Sequence, residues 1–311
     1  AKHYRVIAPD LRGYGETDKP ASGYDKRNMA RDIRELMRAL GLEQVVLVGH
    51  DRGARVATRF AKDYPELVDR LVVMDNVPTR IVARDLNASI ARAYWFFLFH
   101  LVPDLPEALI AGREHIWLRH FFSDWTYDPA TISGEAFDTY VRAYQAPGAV
   151  RGAMADYRAN AEDVAQDLAD AEVKIACPVM SLWGNDFHAV GKLFDMPSVW
   201  AEMADDLRAY AIEECGHLPQ EEQPEKVNAL LMDFLTGWKG RPAIKNPSKR
   251  GFIRLLLRYN RCGRWCRNRW RGRCARYAQV QRRNAKHADK LFQRHFLTVE
   301  RHLTVAVLQA G

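Results

Sequence analysis

Cysteine is scarce in this chain, and long apolar runs are missing. Five cysteines in 311 residues cannot build the dense disulfide framework of a small secreted scaffold. The longest near-apolar stretch, Tyr94 to Val102, is broken by His100 and falls well short of the roughly 20 apolar residues that span a bilayer. No basic-then-apolar leader opens the chain at Ala1, so no signal peptide is legible. From these absences we expect a reduced, cytoplasmic protein with no membrane partner. Apolar residues themselves are plentiful at 48%, enough for a sizeable core, which excludes wholesale disorder.

Acidic residues are nearly absent from the last segment. Gly240 to Gly311 holds 19 Lys and Arg against 2 acids, which leaves 27 against 37 before Gly240. The net charge of +7 therefore averages an acidic chain and a strongly basic tail. In that tail, basic residues are interleaved with Tyr259, Trp265, Trp270 and Tyr277, a composition able to hold phosphates and stack on bases. Any nucleic-acid partner is expected only there. Cys262, Cys266 and Cys274 lack the paired spacings of a structural zinc site, so no metal is expected. Apolar periodicity is missing until about Ala288, after which Leu291, Phe292, Phe296 and Leu297 fit one helix face. Residues 240–311 are predicted to be poorly packed or partly helical.

The acidic portion carries a strand–helix rhythm. Tyr4 to Ala8 reads as a strand stopped by Pro9, and Met29, Ile33, Leu36, Met37 and Leu40 recur at helical spacing before Gly41. Val45 to Val48 is a continuous apolar run of the kind buried on both faces of a parallel sheet. A further helix up to Pro65 and a strand from Leu71 to Met74 complete the pattern. The rhythm breaks into an aromatic-rich, helix-like insertion and returns with Val179 to Leu182, Leu207 to Ile212 and a helix from about Pro224. The predicted organisation is a core in two parts, 1–79 and 166–239, with a helical cap at 80–165 between them.

Chemistry concentrates at Gly49-His50-Asp51-Arg52-Gly53. Small residues around a sharp strand-to-helix turn lift the central side chain above the sheet, in the manner of a nucleophile elbow. That side chain is Asp51, a carboxylate. It suits attack on an sp³ carbon with formation of an alkyl ester, which narrows the reaction to carbon–halogen cleavage or epoxide opening. His217 follows a predicted strand late in the chain, the place of a hydrolase base in the order nucleophile, acid, histidine. For the acid that orients it, Asp75 and Asp186 both end strands.

Four runs carry a resemblance: Ala8 to Gly15 (APDLRGYG), Gly49 to Arg55 (GHDRGAR), Leu71 to Thr79 (LVVMDNVPT) and Cys215 to Glu222 (CGHLPQEE). Over nearly all of residues 1–239 the chain resembles the haloacetate (fluoroacetate) dehalogenases of the α/β-hydrolase fold, with a mostly parallel sheet, flanking helices and a helical cap. The resemblance implies a cofactor-free hydrolase of short 2-haloacids, with Asp51 as nucleophile, His217 as base and Asp75 rather than Asp186 as the acid. It also implies that Arg52 and Arg55 grip the carboxylate of a small anionic substrate, and their spacing on one helix face permits this. Related haloalkane dehalogenases and epoxide hydrolases usually carry Trp where Arg52 stands. In the cap, the family's His-Trp pair is replaced by Tyr94-Trp95-Phe96, leaving Trp95 as the expected halide donor. Counting along the cap sets Glu162 at the family's halide-contacting tyrosine. No His-Gly dipeptide occurs, so the opening strands and their oxyanion loop are expected to precede Ala1, and the fold is read as N-terminally truncated. The alternatives left open are an epoxide hydrolase on the same scaffold and an inactive fragment governed by its basic tail. A homodimer is left open as well.

Overall fold

The computed structural model describes residues 4–236 and 303–309. Strand and helix alternate at first: β1 (Tyr4–Ile7), α1 (Lys26–Ala39), β2 (Val45–His50), α2 (Arg52–Asp63) and β3 (Val68–Met74). A succession of helices follows: α3 (Thr79–Arg84), α4 (Ala88–Ala93), α5 (Trp95–Leu101), α6 (Leu105–Ile110), α7 (Glu114–Trp125), α8 (Gly134–Tyr144), α9 (Ala149–Arg158) and α10 (Asn160–Ala169). The rhythm resumes with β4 (Val179–Gly184), α11 (Met196–Ala201), β5 (Leu207–Ile212), α12 (Pro219–Glu222) and α13 (Pro224–Thr236), and β6 (Leu303–Gln309) comes from the basic segment.

The strands form one parallel sheet in the order β1-β6-β2-β3-β4-β5. Successive side chains of a strand point to opposite faces, which explains the continuous apolar run in β2. Val45 and Leu47 join the core shared with α1 and α2, whereas Val46 and Val48 join the one shared with α13. Leu71 and Val73 against Val72 and Met74 repeat the division in β3. Each such side chain contributes about 1.5–3 kcal/mol of burial, so a polar residue at any of them would weaken one face. α1 starts at Asp25, whose side chain accepts from the Asn28 N–H, and stops before Gly41 at φ +65°, a conformation that favours glycine.

Charge ties the helices of the insertion to the core. Asp156 on α9 is fully buried. It accepts from Tyr14 Oη at 2.7 Å, from Lys26 Nζ, and from Arg52 Nε and Nη2 at 2.9 and 2.7 Å. Lys26 also pairs with Asp163 of α10 at 3.2 Å. Removing one partner of a buried pair costs about 3–5 kcal/mol because the other is left uncompensated. This junction therefore holds α9 and α10 against α1 and α2 with little latitude.

Residues 303–309 correct the expectation of a poorly packed or partly helical tail at its far end. Leu303 to Val307 holds the β-branched residues Thr304, Val305 and Val307, and it pairs with β1 on one side and β2 on the other, Gln309 ending level with His50. Val307 is buried. Without this strand, β1 and β2 would each present an open row of N–H and C=O groups. Leu291, Phe292, Phe296 and Leu297 of the helix expected from about Ala288 onward, the aromatic residues of the tail and Cys262, Cys266 and Cys274 lie outside the described residues. Among the described residues no helix is long and apolar enough to cross a membrane.

Deleting residues 303–311 should lower Tm by roughly 4–10 °C, given about 1.5–3 kcal/mol for Val307 alone and about 2–4 °C per kcal/mol at this size. A thermal melt of the shortened chain that coincides with the full-length one would contradict the place of β6 in the sheet.

Candidate active site

The turn between β2 and α2 consists of one residue. Asp51 makes it at φ 45° and ψ −115°, a strained conformation for a side chain other than glycine. Three contacts hold it there. Its N–H donates to the Met74 carbonyl at 3.1 Å, its carbonyl accepts from Asn76 Nδ2 at 3.0 Å, and the Ala54 N–H donates to the same carbonyl at 3.1 Å. Gly49 lets the helix fold back this sharply, since a Cβ there would lie 2.6 Å from Ala54 Cα. No side chain caps α2, so the N–H groups of its first turn stand beside Asp51 as partial positive charge.

His217 reaches the turn from the loop after β5. Its Nδ1–H donates to Asp75 Oδ2 at 2.6 Å, and its Nε2 lies 3.7 Å from Asp51 Oδ2. Asp75, itself at φ 44°, also accepts from the Gly184 N–H at 3.0 Å. The structure therefore brings Asp75 to the imidazole and not Asp186, which accepts from Lys192 and the Glu214 N–H instead. Glu222 braces the loop by accepting from the N–H groups of Gly216 and Leu218, both at 2.9 Å. The His217 N–H donates to the Trp125 carbonyl of α7 at 2.6 Å. That approach requires glycine at 216, where a Cβ would sit 2.0 Å from the same carbonyl.

Electrostatics make these groups one unit. Burial disfavours a charged imidazole, but Asp51 and Asp75 outweigh it and push the His217 pKa up to about 10. Burial likewise disfavours ionised Asp51, yet His217, with help from His50 and Arg55, holds this carboxyl well below the usual carboxylate range. Asp75 is pushed up to about 6, burial prevailing over the pull of His217. His50 is lowered to about 4, by burial first and then by the charge of His217. It is neutral, and its Nε2–H donates to the His217 carbonyl at 2.6 Å.

Above Asp51 lies a cavity of about 100 Å³, walled by Phe96, Trp117, Phe121 and Trp125 and carrying Tyr144 and Tyr157. Both phenols have raised pKa values, through burial first and the charge of Asp51 next, so both remain protonated donors. A recess of about 20 Å³ shares Asp51, His217, Phe96 and Trp125 with the cavity and adds Asp75, Asn76 and Arg55. Among the described residues no cluster of three His, Cys, Asp or Glu side chains is placed to hold a metal ion.

Three expectations about substrate contacts change. Arg52 lines the cavity, but its guanidinium is spent on both oxygens and the carbonyl of Asp156 and on Asn160 Oδ1 at 2.9 Å. Arg55 diverges from it, donating from Nη1 to Thr79 Oγ1 at 2.6 Å, and lines only the recess. The two do not form one clamp. Trp95, at 39% exposure, stacks on the outer side of Phe121 and borders neither cavity nor recess; Trp117 and Trp125 are the indoles that face in. Glu162 is exposed on α10, and Tyr157 occupies the cavity instead. Counting missed it because the lengths of α9 and α10 cannot be read from spacing alone. Trp125, Tyr144 and Tyr157 had no motif to announce them, whereas His50 and Asn76 stood unremarked inside two of the runs that carry the resemblance.

Known proteins can be compared with this geometry. The chain is 38% identical over 238 residues to the soluble epoxide hydrolase of Corynebacterium sp. (strain C12), covering 75% of this chain and 82% of that one. It is 34% identical over 244 residues to a fluoroacetate dehalogenase of Burkholderia sp, covering 76% and 80%. Of solved structures, the epoxide hydrolase CorEH superposes with a TM-score of 0.70 at 32% identity, covering 76% of this chain and 92% of that one. Residues 1–224 match the family described as alpha/beta hydrolase fold. With its parallel sheet, its one-residue turn at Asp51 and the late His217, the chain belongs to the α/β hydrolase fold family.

Proposed function

We propose that the protein is a hydrolase of small, largely apolar epoxides that works through an ester on Asp51. The observation that carries this reading is an ionised Asp51 beneath an aromatic cavity in which the phenols of Tyr144 and Tyr157 stay protonated, with His217 Nε2 3.7 Å from the carboxylate. An Asp51 oxygen attacks an epoxide carbon, the carbon–oxygen bond breaks, and the epoxide oxygen keeps the electron pair and takes a proton from Tyr144 or Tyr157. His217 Nε2 then removes a proton from water, whose oxygen attacks Cγ of the ester. The bond between Cγ and the alkyl oxygen breaks, the leaving alkoxide takes the proton from His217, and a diol departs. The remaining carboxyl proton returns to the phenolate. The Arg52 N–H at the start of α2 is suited to the oxyanion of the intermediate.

His217 changes character during this cycle. The charge of Asp51 helps to hold its pKa near 10 in the free enzyme, and esterification removes that charge. The imidazolium then releases its Nε2 proton to solvent, so the imidazole is a free base only once there is an ester to hydrolyse, and it regains a proton from solvent when the Asp51 carboxylate is restored. Asp75 keeps it oriented throughout.

A second reading, cleavage of a 2-haloacid such as a haloacetate, is favoured by Arg55. Its Nε–H has no partner among the described residues, it lies in the recess beside Asp51, and one relative is named a fluoroacetate dehalogenase. Against it, the Arg52 guanidinium is occupied by Asp156 and Asn160.

Turnover of styrene oxide and 1,2-epoxybutane should exceed that of chloroacetate. Tyr144→Phe and Tyr157→Phe should each slow ring opening, by up to about 10²-fold for loss of a general acid. His217→Ala should accumulate an ester on Asp51, visible by mass spectrometry, and Asp51→Asn should form none. Faster turnover of chloroacetate than of either epoxide, abolished by Arg55→Leu, would replace this reading with the haloacid one.

Hydrolysis of the preformed ester should slow toward acid pH as His217 gains its proton. The apparent pKa should lie between about 6.5, the ordinary imidazole value, and about 10, the value with Asp51 charged. A hydrolysis rate unchanged down to pH 5 would show that His217 is not the base.

A further inference from the structure

Asn76 follows Asp75 at the end of β3 and is 2% exposed. Its side chain has a fixed sense. The group 3.0 Å away is the Asp51 carbonyl, which can only accept, so Nδ2 must face it and Oδ1 must point the other way. The backbone is pinned as well, since the Asn76 carbonyl accepts from Trp200 Nε1 at 3.2 Å. Oδ1 is buried and finds no hydrogen-bond partner among the described residues. Across the same recess, Arg55 Nε–H is also buried without a partner, although Nη1 of that guanidinium is bonded to Thr79. Asn76 and Arg55, each with one unmet polar atom, thus line with His217 one recess of about 20 Å³. A buried water needs about 10–15 Å³ and two to four polar partners.

We propose that Asn76 positions the hydrolytic water, accepting one of its hydrogens at Oδ1 while His217 Nε2 takes the other and Arg55 Nε–H donates to its oxygen. This rests on the ester reading of Asp51 and adds the site from which water attacks. The recess is not the aromatic cavity, so the alkyl group of the ester and the water approach Asp51 from separate spaces. Asn76 therefore acts in two ways. Through Nδ2 it supports the strained turn that carries the nucleophile, and through Oδ1 it serves only the second step. The water proton passes to His217 and on to the departing alkoxide, and Asn76 exchanges no proton.

The test separates the two steps. Asn76→Leu, with the same branching at Cγ and neither polar atom, is mixed with whichever of styrene oxide or chloroacetate labels Asp51, quenched at intervals, and the ester is followed by mass spectrometry. Loss of Nδ2 touches both steps and loss of Oδ1 only the second, so ester hydrolysis should slow about tenfold or more beyond any slowing of ester formation, as loss of a buried hydrogen bond implies, and ester should accumulate at steady state. If Asn76→Leu does not fold, Asn76→Ala should give the same split. Unchanged hydrolysis, or an equal slowing of both steps, would overturn the assignment, the latter leaving Asn76 as a support of the turn alone. A parent chain and a His217→Ala variant that both form no ester with either compound would overturn the ester reading, and this assignment with it.

Discussion

A carboxylate kept ionised beneath an aromatic lid needs a compensating charge, and the imidazolium of His217 between Asp51 and Asp75 supplies it. Two buried carboxylates facing a neutral imidazole would each be driven toward protonation. With His217 charged, Asp51 stays ionised, as the nucleophile role we propose for it requires. The rest of the architecture serves this arrangement. β2 and β3 end in strained residues, Asp51 and Asp75. The His217 loop is threaded against α7 through a glycine and braced by Glu222. The Asp156 junction fixes α9, with Tyr157 on it, across the cavity from Asp51.

Arg52 shows how the same balance works at one remove. Its charge is matched by Asp156, while Lys26 is shared between Asp156 and Asp163. Little positive potential is left over at the site for an anionic substrate, and of Arg52 and Arg55 it is Arg55 that keeps an unmet donor. What the cavity offers is apolar surface and phenolic donors. A substrate that carries its own oxygen at the reacting carbon, and needs that oxygen protonated as the bond breaks, is better matched to this lining than one that needs two cations.

Periodicity made the sheet legible. Val45 to Val48 and Leu71 to Met74 are buried on both faces, so their apolar runs are continuous; the helix before Gly41 buries one face, so its apolar residues recur every three or four. The elbow was legible for a similar reason, because glycine at 49 and a helix beginning at once leave few other conformations. Long-range partners were not legible. Nothing in the spacing of Arg52 and Arg55 shows that Asp156, more than a hundred residues on, will capture one of them, and nothing in the cap separates inward Trp125 from outward Trp95. β6 was obscured by its setting. Seven residues of strand-like sequence follow some sixty of Arg-rich chain, and a parallel strand added from so far along the chain leaves no local turn signal.

The account stands on an ester at Asp51 hydrolysed at Cγ, and a single turnover in H₂¹⁸O tests that most directly. With enzyme in excess over styrene oxide, the heavy oxygen should enter the Asp51 carboxylate and be absent from the first-turnover diol, whose new oxygen comes from Asp51. Label in the diol and none in Asp51 would mean that water attacks the substrate itself, and would contradict the ester.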